Sequence, residues 1–196
     1  VAIASRRIPF IVAHIRLATQ GKSALSNTQP FQRELGGRAH VFAHNGDMPG
    51  IQDKCRLHSN RFKPVGDTDS EFAFCCLLEQ LGDLWDRATE KEPSVESRLE
   101  VVADFAARLR PLGPFNFVYS DSDALFVHSH RRTQSDGEVR PPGLHMLVRS
   151  CNEQAIDLTQ SGVLLAPLAQ ELVLVASVPL TDEAWETVGD GAGRSQ

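Results

Sequence analysis

Apolar residues recur at helical spacing over two stretches in the middle of the chain, and short β-branched or aromatic runs lie on either side of them. In the first stretch Phe74, Leu77, Leu78, Leu81, Leu84 and Trp85 mark one face of a helix. Its start is signposted: Thr68 and Glu71 have the spacing of a capping box, and Asp67 and Asp69 put negative charge at the positive end of the helix dipole. Residues 86–93 are charged and end in Pro93, which reads as a linker. A second amphipathic helix follows, with Val95, Leu99, Val102, Ala106 and Leu109 on one face and stop signals at Pro111 and Gly113.

The remaining pattern is that of strands. Residues 8–15 form an apolar, β-branched run that reads as a buried strand delivering Arg16 and Thr19 to its end. Gln29 is biased away from the α region by Pro30, and Leu35-Gly36-Gly37-Arg38 makes a tight turn. A second strand covers 39–43 and ends at the turn dipeptide Asn45-Gly46, followed by a polar loop over 48–66. Residues 115–119 and 124–128 read as a hairpin joined by Ser120-Asp121-Ser122-Asp123, and 144–149 and 172–177 as further strands. The polar segment 129–142 reads as a mobile loop, 181–188 as a short helix and 189–196 as a flexible tail. Strand groups with a helical pair between them predict α+β layers in one domain over residues 1–188.

Composition narrows the class. At 196 residues, 41% hydrophobic and 23% charged, the chain suits a single globular domain with a real core. The net charge of −5 and the lack of a basic stripe argue against a nucleic-acid partner; Arg131-Arg132 is too short and reads as a solvated loop. There is no apolar run of the ~20 residues needed to span a bilayer, and no secretory signal pattern. Cys55, Cys75, Cys76 and Cys151 lack zinc-site spacing; Cys75 and Cys76 fall inside the helical apolar pattern, as packing residues do. Such cysteine usage suits a reducing cytoplasm. His40 and His44 would share a strand face without ligand geometry, and Asp67-x-Asp69-x-Glu71 has Phe72 where a calcium loop needs glycine. No metal or cofactor is implied.

Three polar clusters carry the candidate chemistry: His14-Ile15-Arg16-Leu17-Ala18-Thr19, Ala43-His44-Asn45-Gly46-Asp47 and Gly66-Asp67-Thr68-Asp69-Ser70-Glu71. They supply a cation, a turn with an amide side chain, and a carboxylate. Arginine is shaped for bidentate carboxylate recognition. An Asn side chain beside a glycine N–H makes an oxyanion hole, and a carboxylate pairs with an ammonium ion. Taken singly, Arg16 is a solvated strand end, Asn45-Gly46 a turn and Asp69 a first-turn charge. Taken together, a cation, an amide turn and a carboxylate are the groups that would hold a zwitterionic amino acid.

In that order, together with Asn27-Thr28-x-Pro30-Phe31, Gly113-Pro114-Phe115-Asn116 with Ser120-Asp121, and Val175-Ala176-Ser177-x-Pro179-Leu180-Thr181 before Trp185, the clusters resemble the glutaminase domain of class II glutamine amidotransferases of the stand-alone bacterial type. The resemblance implies the N-terminal nucleophile hydrolase fold, a four-layer αββα sandwich. It implies hydrolysis of the side-chain amide of glutamine to glutamate and ammonia by an N-terminal cysteine whose own amine is the base. By resemblance Asn45 and Gly46 form the oxyanion hole, Arg16 and Thr19 hold the substrate carboxylate, and Asp69 holds its ammonium group. The ammonia goes to an accepting partner or subunit, or is simply released.

The sequence departs from the family in two places. Only 13 residues precede His14, residue 1 is Val1, and none of the four cysteines stands where the nucleophile belongs; the chain reads as one lacking its N-terminal segment. Gln29 stands where many relatives have histidine, and it cannot carry charge. Two alternatives stay open: a hydrolase of γ-glutamyl peptides or amides, and an inactive amino-acid-binding regulatory module. The 196-residue chain by itself is expected to release no glutamate from glutamine; thiol-dependent release in a coupled glutamate assay would overturn this.

Overall fold

The computed structural model describes residues 2–5, 11–14, 24–88, 92–151, 156–158, 163–165 and 170–189. The larger sheet joins β1 (Ala2–Ser5), β2 (Phe31–Leu35), β3 (Arg38–Gly46), β4 (Phe115–Ser120) and β5 (Ala124–His128) in the order β1-β5-β4-β3-β2, with every neighbouring pair antiparallel. Between β3 and β4 the chain makes a short helix, α1 (Ile51–Lys54), and two long ones, α2 (Asp69–Arg87) and α3 (Val95–Leu109). Beyond β5, β6 (Arg132–Thr133) and β7 (Val139–Arg140) form a small hairpin. A three-stranded antiparallel sheet has β8 (His145–Cys151) at its centre. Later in the chain β9 (Ile156–Leu158) pairs with β10 (Val163–Leu165), and β11 (Gln170–Ala176) and β12 (Glu186–Thr187) flank β8. The protein is thus a mixed α+β structure. No described helix is long and apolar enough to cross a membrane.

The helical pair packs on the larger sheet as its periodicity demands. From α2, Phe74, Leu77, Leu78 and Leu81 are fully buried, and Phe74 stacks on Phe42 of β3 with ring centroids 5.3 Å apart. From α3, Phe105 meets Phe115 and Phe117 of β4 edge-on at 5.8 and 6.3 Å. Each such side chain contributes about 1.5–3 kcal/mol by leaving water. Cys75 and Cys76 are buried in the same layer. A buried ion pair ties α3 to the β4–β5 turn: Arg98 binds Asp121, and its second nitrogen donates to Asp123 at 2.7 Å. Asp121 in turn accepts from the N–H groups of Asp123 and Ala124, so the turn is built around its carboxylate.

Several expectations are corrected. Residues 31–35, where no element is expected from the sequence, are a strand whose inward position between Phe31 and Leu35 is Arg33, its charge met by the buried Glu71. Strand β3 runs on past Ala43 through Gly46, because β4 continues to pair with it there. Residues 11–14 make no strand and Ile11 is 82% exposed; the rest of the predicted strand lies outside the described residues. The stretch expected to be a mobile loop holds the β6–β7 hairpin, closed by Gln134, whose N–H donates to Glu138 O and whose carbonyl accepts from Gly137 N. Residues 181–188 are not a helix: Thr181 accepts from the Trp185 indole and donates to Glu183, local bonds that compete with helical ones, and β12 pairs with β8. The loop over 48–66 contains α1. The predicted tail beyond 189 lies outside the described residues.

Two buried histidines of this sheet make stability depend on acid. Burial takes His44 down to about 4 and His128 to about 3, the latter helped by nearby positive charges including Arg110. His128 sits against Phe115 and Phe117 at 5.7 and 5.3 Å, and neither ring nitrogen has a hydrogen-bond partner among the described residues. A histidine depressed in the native state is protonated first in the unfolded chain. Its contribution is therefore complete above the unfolded value near 6.5 and is lost as pH falls towards 4 and 3. Unfolding free energies from urea titrations are expected to fall with acidification from pH 6.5 to pH 4, by up to about 1.4 kcal/mol per pH unit for each group. His128→Phe is expected to flatten that dependence; an unchanged slope would refute it.

Candidate functional site

The site expected from the sequence centres on the end of β3. Its last two residues pair with β4 as Asn45↔Asn116 and Gly46↔Phe115, and both are exposed. Gly46 has φ +150°, and a Cβ there would overlap the carbonyl of Pro114. Only glycine lets the strand end pass so close to the 113–114 segment. The next residue confirms the approach, with Asp47 N–H donating to Pro114 O at 3.2 Å.

The backbone from His44 to Met48 is held group by group. Gln29 spans His44: its Oε1 accepts from His44 N–H at 2.6 Å and its Nε2 donates to His44 O at 3.1 Å. The buried Asn116 donates from Nδ2 to Asn45 O at 3.1 Å and to Arg131 O at 2.8 Å, while its Oδ1 accepts from His130 N–H at 2.7 Å. Asp69 Oδ2 accepts from Met48 N–H at 2.7 Å. Because the peptide unit is planar and trans, fixing Asn45 C=O against Asn116 turns the Gly46 N–H the opposite way, away from Asn116. The β2 ladder ends at Phe31↔Phe42, before it reaches Gly46.

The start of α2 forms the opposite wall. Thr68 is the N-cap and accepts from Glu71 N–H at 3.2 Å, which is half of the predicted capping box. The other half is replaced: the Glu71 carboxylate accepts from Val65 and Gly66 N–H at 2.9 and 2.7 Å and pairs with Arg33. Asn27 ties the same loop to the segment before β2, donating to Asp67 Oδ1 at 2.6 Å and accepting from Asp67 N–H at 3.0 Å. Asp69 Oδ1 accepts from Ser70 N–H and Ser70 Oγ at 2.7 and 3.2 Å, and Ser70 Oγ lies 2.9 Å from His44 Nδ1. With His44 buried against Phe115, burial holds the ring neutral at pH 7, although the Asp69 charge pulls the other way.

Asn45, Gly46 and Asp69 are therefore brought together, through Met48 and through the His44–Ser70–Asp69 chain. Arg16 and Thr19 lie outside the described residues. Sequence reasoning missed the holding residues. Gln29 stood out only as a departure, and Asn116 only as part of a motif, although a polar residue between Phe115 and Phe117 in a strand signals a buried group that needs partners. His40 is engaged with Tyr119 Oη at 2.7 Å and Leu35 O at 3.0 Å. Among the described residues no cluster of His, Cys, Asp and Glu has the makings of a metal site.

Comparison with known proteins bears on the whole chain. The family described as "Glutamine amidotransferases class-II" matches residues 4–194. The chain is 34% identical to "Putative glutamine amidotransferase YafJ" of Escherichia coli (strain K12), over 94% of this chain and 68% of that protein. It is 31% identical to "Putative glutamine amidotransferase" of Haemophilus influenzae, over 92% of this chain and 58% of that one. The 2.0 Å crystal structure of a "predicted glutamine amidotransferase" from Pseudomonas aeruginosa PA01 superposes with a TM-score of 0.66 at 32% identity, covering 86% of this chain and 61% of that one. The chain thus spans between 58% and 68% of the length of these relatives. With the family matched from residue 4 to residue 194, and a relative 34% identical over 68% of its length, this chain belongs to the class II glutamine amidotransferases.

Proposed function

We propose that this chain supplies the substrate-holding and oxyanion-stabilising part of an enzyme that hydrolyses the side-chain amide of glutamine. The single observation carrying the reading is the clamped backbone from His44 to Met48, with Asn45 and Gly46 exposed at its tip. An oxyanion hole works by donors that need no reorganisation when charge develops, and one such donor is worth about 10²–10³ in rate. In this reading the Asn45 side chain and the Gly46 N–H are those donors. Asp69 uses three of the about four acceptor positions of a carboxylate on Met48 and Ser70 and keeps one for the substrate ammonium. Arg16, with Thr19, binds the substrate carboxylate.

The nucleophile is the N-terminal cysteine of the mature protein. Its α-amine takes the thiol proton as sulfur bonds to the amide carbon and the carbonyl electrons move to oxygen. Collapse of that oxyanion breaks the C–N bond, the proton leaves with the nitrogen as ammonia, and water cleaves the thioester to glutamate. Cys75 and Cys76 do not suit this role. Burial pushes the Cys75 thiol up to about 11, and a hydrogen bond with Cys55 together with burial raises Cys76. Cys55 is lowered first by its hydrogen bond with Cys76 and is occupied in that pair. The same reading takes the five-stranded sheet, the α2–α3 layer and the β8 sheet as three layers of an αββα sandwich, with ammonia passing to a partner or subunit.

The test uses the native protein with its own N-terminus. It is expected to release glutamate from L-glutamine. Asn45→Ala is expected to lower kcat by about 10²–10³, and Asp69→Asn to act mainly on KM. Glutamine binding without turnover would replace this reading with an amino-acid-binding module, and absence of both would end it. In the 196-residue chain itself, Gly46→Ala is expected to destabilise by about 1–3 kcal/mol through its positive φ and the Pro114 overlap. An unshifted urea midpoint would contradict that.

A further inference from the structure

Asn116 has no place in the reaction as set out above, yet it is 1% exposed and all three of its described hydrogen bonds go to backbone groups of other segments. Two come from one nitrogen, to Asn45 O and Arg131 O, and the third is accepted by its oxygen from His130 N–H. A Cβ at Gly143 would overlap its amide oxygen, so glycine there leaves the carboxamide its place. The orientation is fixed chemically. A flipped amide would set its oxygen against two carbonyl oxygens and its NH₂ against an N–H.

We propose that Asn116 is a positioning residue for the oxyanion hole, acting through the 45–46 peptide plane. Asn45 C=O and Gly46 N–H are the two ends of one planar unit. A donor that pins the carbonyl also sets the direction of the N–H, and rotation of that plane would swing the donor away from a developing oxyanion. Gly46 resists such rotation least by itself, because glycine has the widest backbone freedom of any residue. The pin is anchored on the far side by His130 and Arg131, at the entry to the β6–β7 hairpin, so the plane is referred to β5's extension as well as to the β3–β4 ladder in which Asn45 pairs with Asn116. The inference rests on the reading of Gly46 N–H as an oxyanion donor.

The test is steady-state kinetics of Asn116→Asp in the native protein with its own N-terminus. This variant keeps the shape and the His130 contact but puts an oxygen against Asn45 O and Arg131 O. Asn116→Ser, which vacates the contact instead of inverting it, serves if N116D does not fold. On a variant that melts as a folded protein, kcat is expected to fall by about 10- to 100-fold, less than the ~10²–10³ for outright loss of a donor. KM for glutamine is expected to stay within about twofold, since a donor engaged only in the transition state leaves ground-state binding alone. Affinity for the γ-aldehyde analogue of glutamine, whose thiol adduct carries the oxyanion, is expected to fall in parallel with kcat. A folded variant with unchanged kcat, or one losing kcat and glutamine affinity equally, overturns the positioning role while leaving the proposed reaction standing. A parent protein without glutaminase activity removes both.

Discussion

Backbone groups at the end of a strand have to find new partners once the neighbouring strand runs out, and in this protein they find side chains. β2 leaves β3 at Phe42, and the carboxamide of Gln29 takes over the N–H and C=O of His44 as another strand would. On the other edge β4 pairs on through Gly46, and the carboxamide of Asn116 adds a second hold on Asn45 O; past the glycine the Asp69 carboxylate takes Met48 N–H. A buried backbone group left alone costs about as much as a lost hydrogen bond or more, so the buried His44 and Met48 need these partners. Much of the fold follows from where these side chains must come from. Gln29 requires the segment before β2 to return beside β3, Asn116 requires β4 in register, and Asp69 requires α2 to begin opposite the strand end.

That last requirement explains the investment around the start of α2. Glu71, 1% exposed, gathers Val65 N–H, Gly66 N–H and Arg33, and Asn27 fastens Asp67. An N-terminal turn held only by its own cap would fray, whereas here the loop before it is attached to both β2 and the segment ahead of β2. The Glu71 carboxylate is diverted from the capping box to this task, while Thr68 alone keeps the cap.

Helices α2 and α3 and the β4–β5 hairpin were legible because one face of each is apolar and the other polar, the signal periodicity detects. β2 was illegible for the opposite reason: its inward centre is Arg33, and the compensating Glu71 is distant in sequence. The segment 181–188 looked helical by composition, but Thr181 spends its hydroxyl on Glu183 and Trp185. At the candidate site, Asn45, Gly46 and Asp69 could be proposed from the sequence because they stand within recognisable motifs; their roles stay those of the proposal. Asn116 and Gln29 were not, because a residue that serves another residue's backbone leaves its reason for being there in the partner's position. Pairing register, which sets Asn116 opposite Asn45, is available only from the folded chain.

The use of side chains rather than a strand to finish β3 also has a consequence for chemistry. A neighbouring strand pairs an edge continuously: every second residue on that edge gives both its N–H and its C=O to the ladder. A strand continuing along β3 where Gln29 stands would next have taken Gly46 N–H. A carboxamide carries one donor edge and one acceptor edge and closes a single residue, so Gln29 satisfies His44 and stops. The following N–H on that edge is the one whose plane Asn116 fixes from behind. A donor that is held rigidly yet lies outside the β2 ladder is what the oxyanion role proposed for Gly46 demands. Ending the β2 edge with the Gln29 amide leaves Gly46 N–H outside the β2 ladder, as the proposed role requires and as a longer β2 would not.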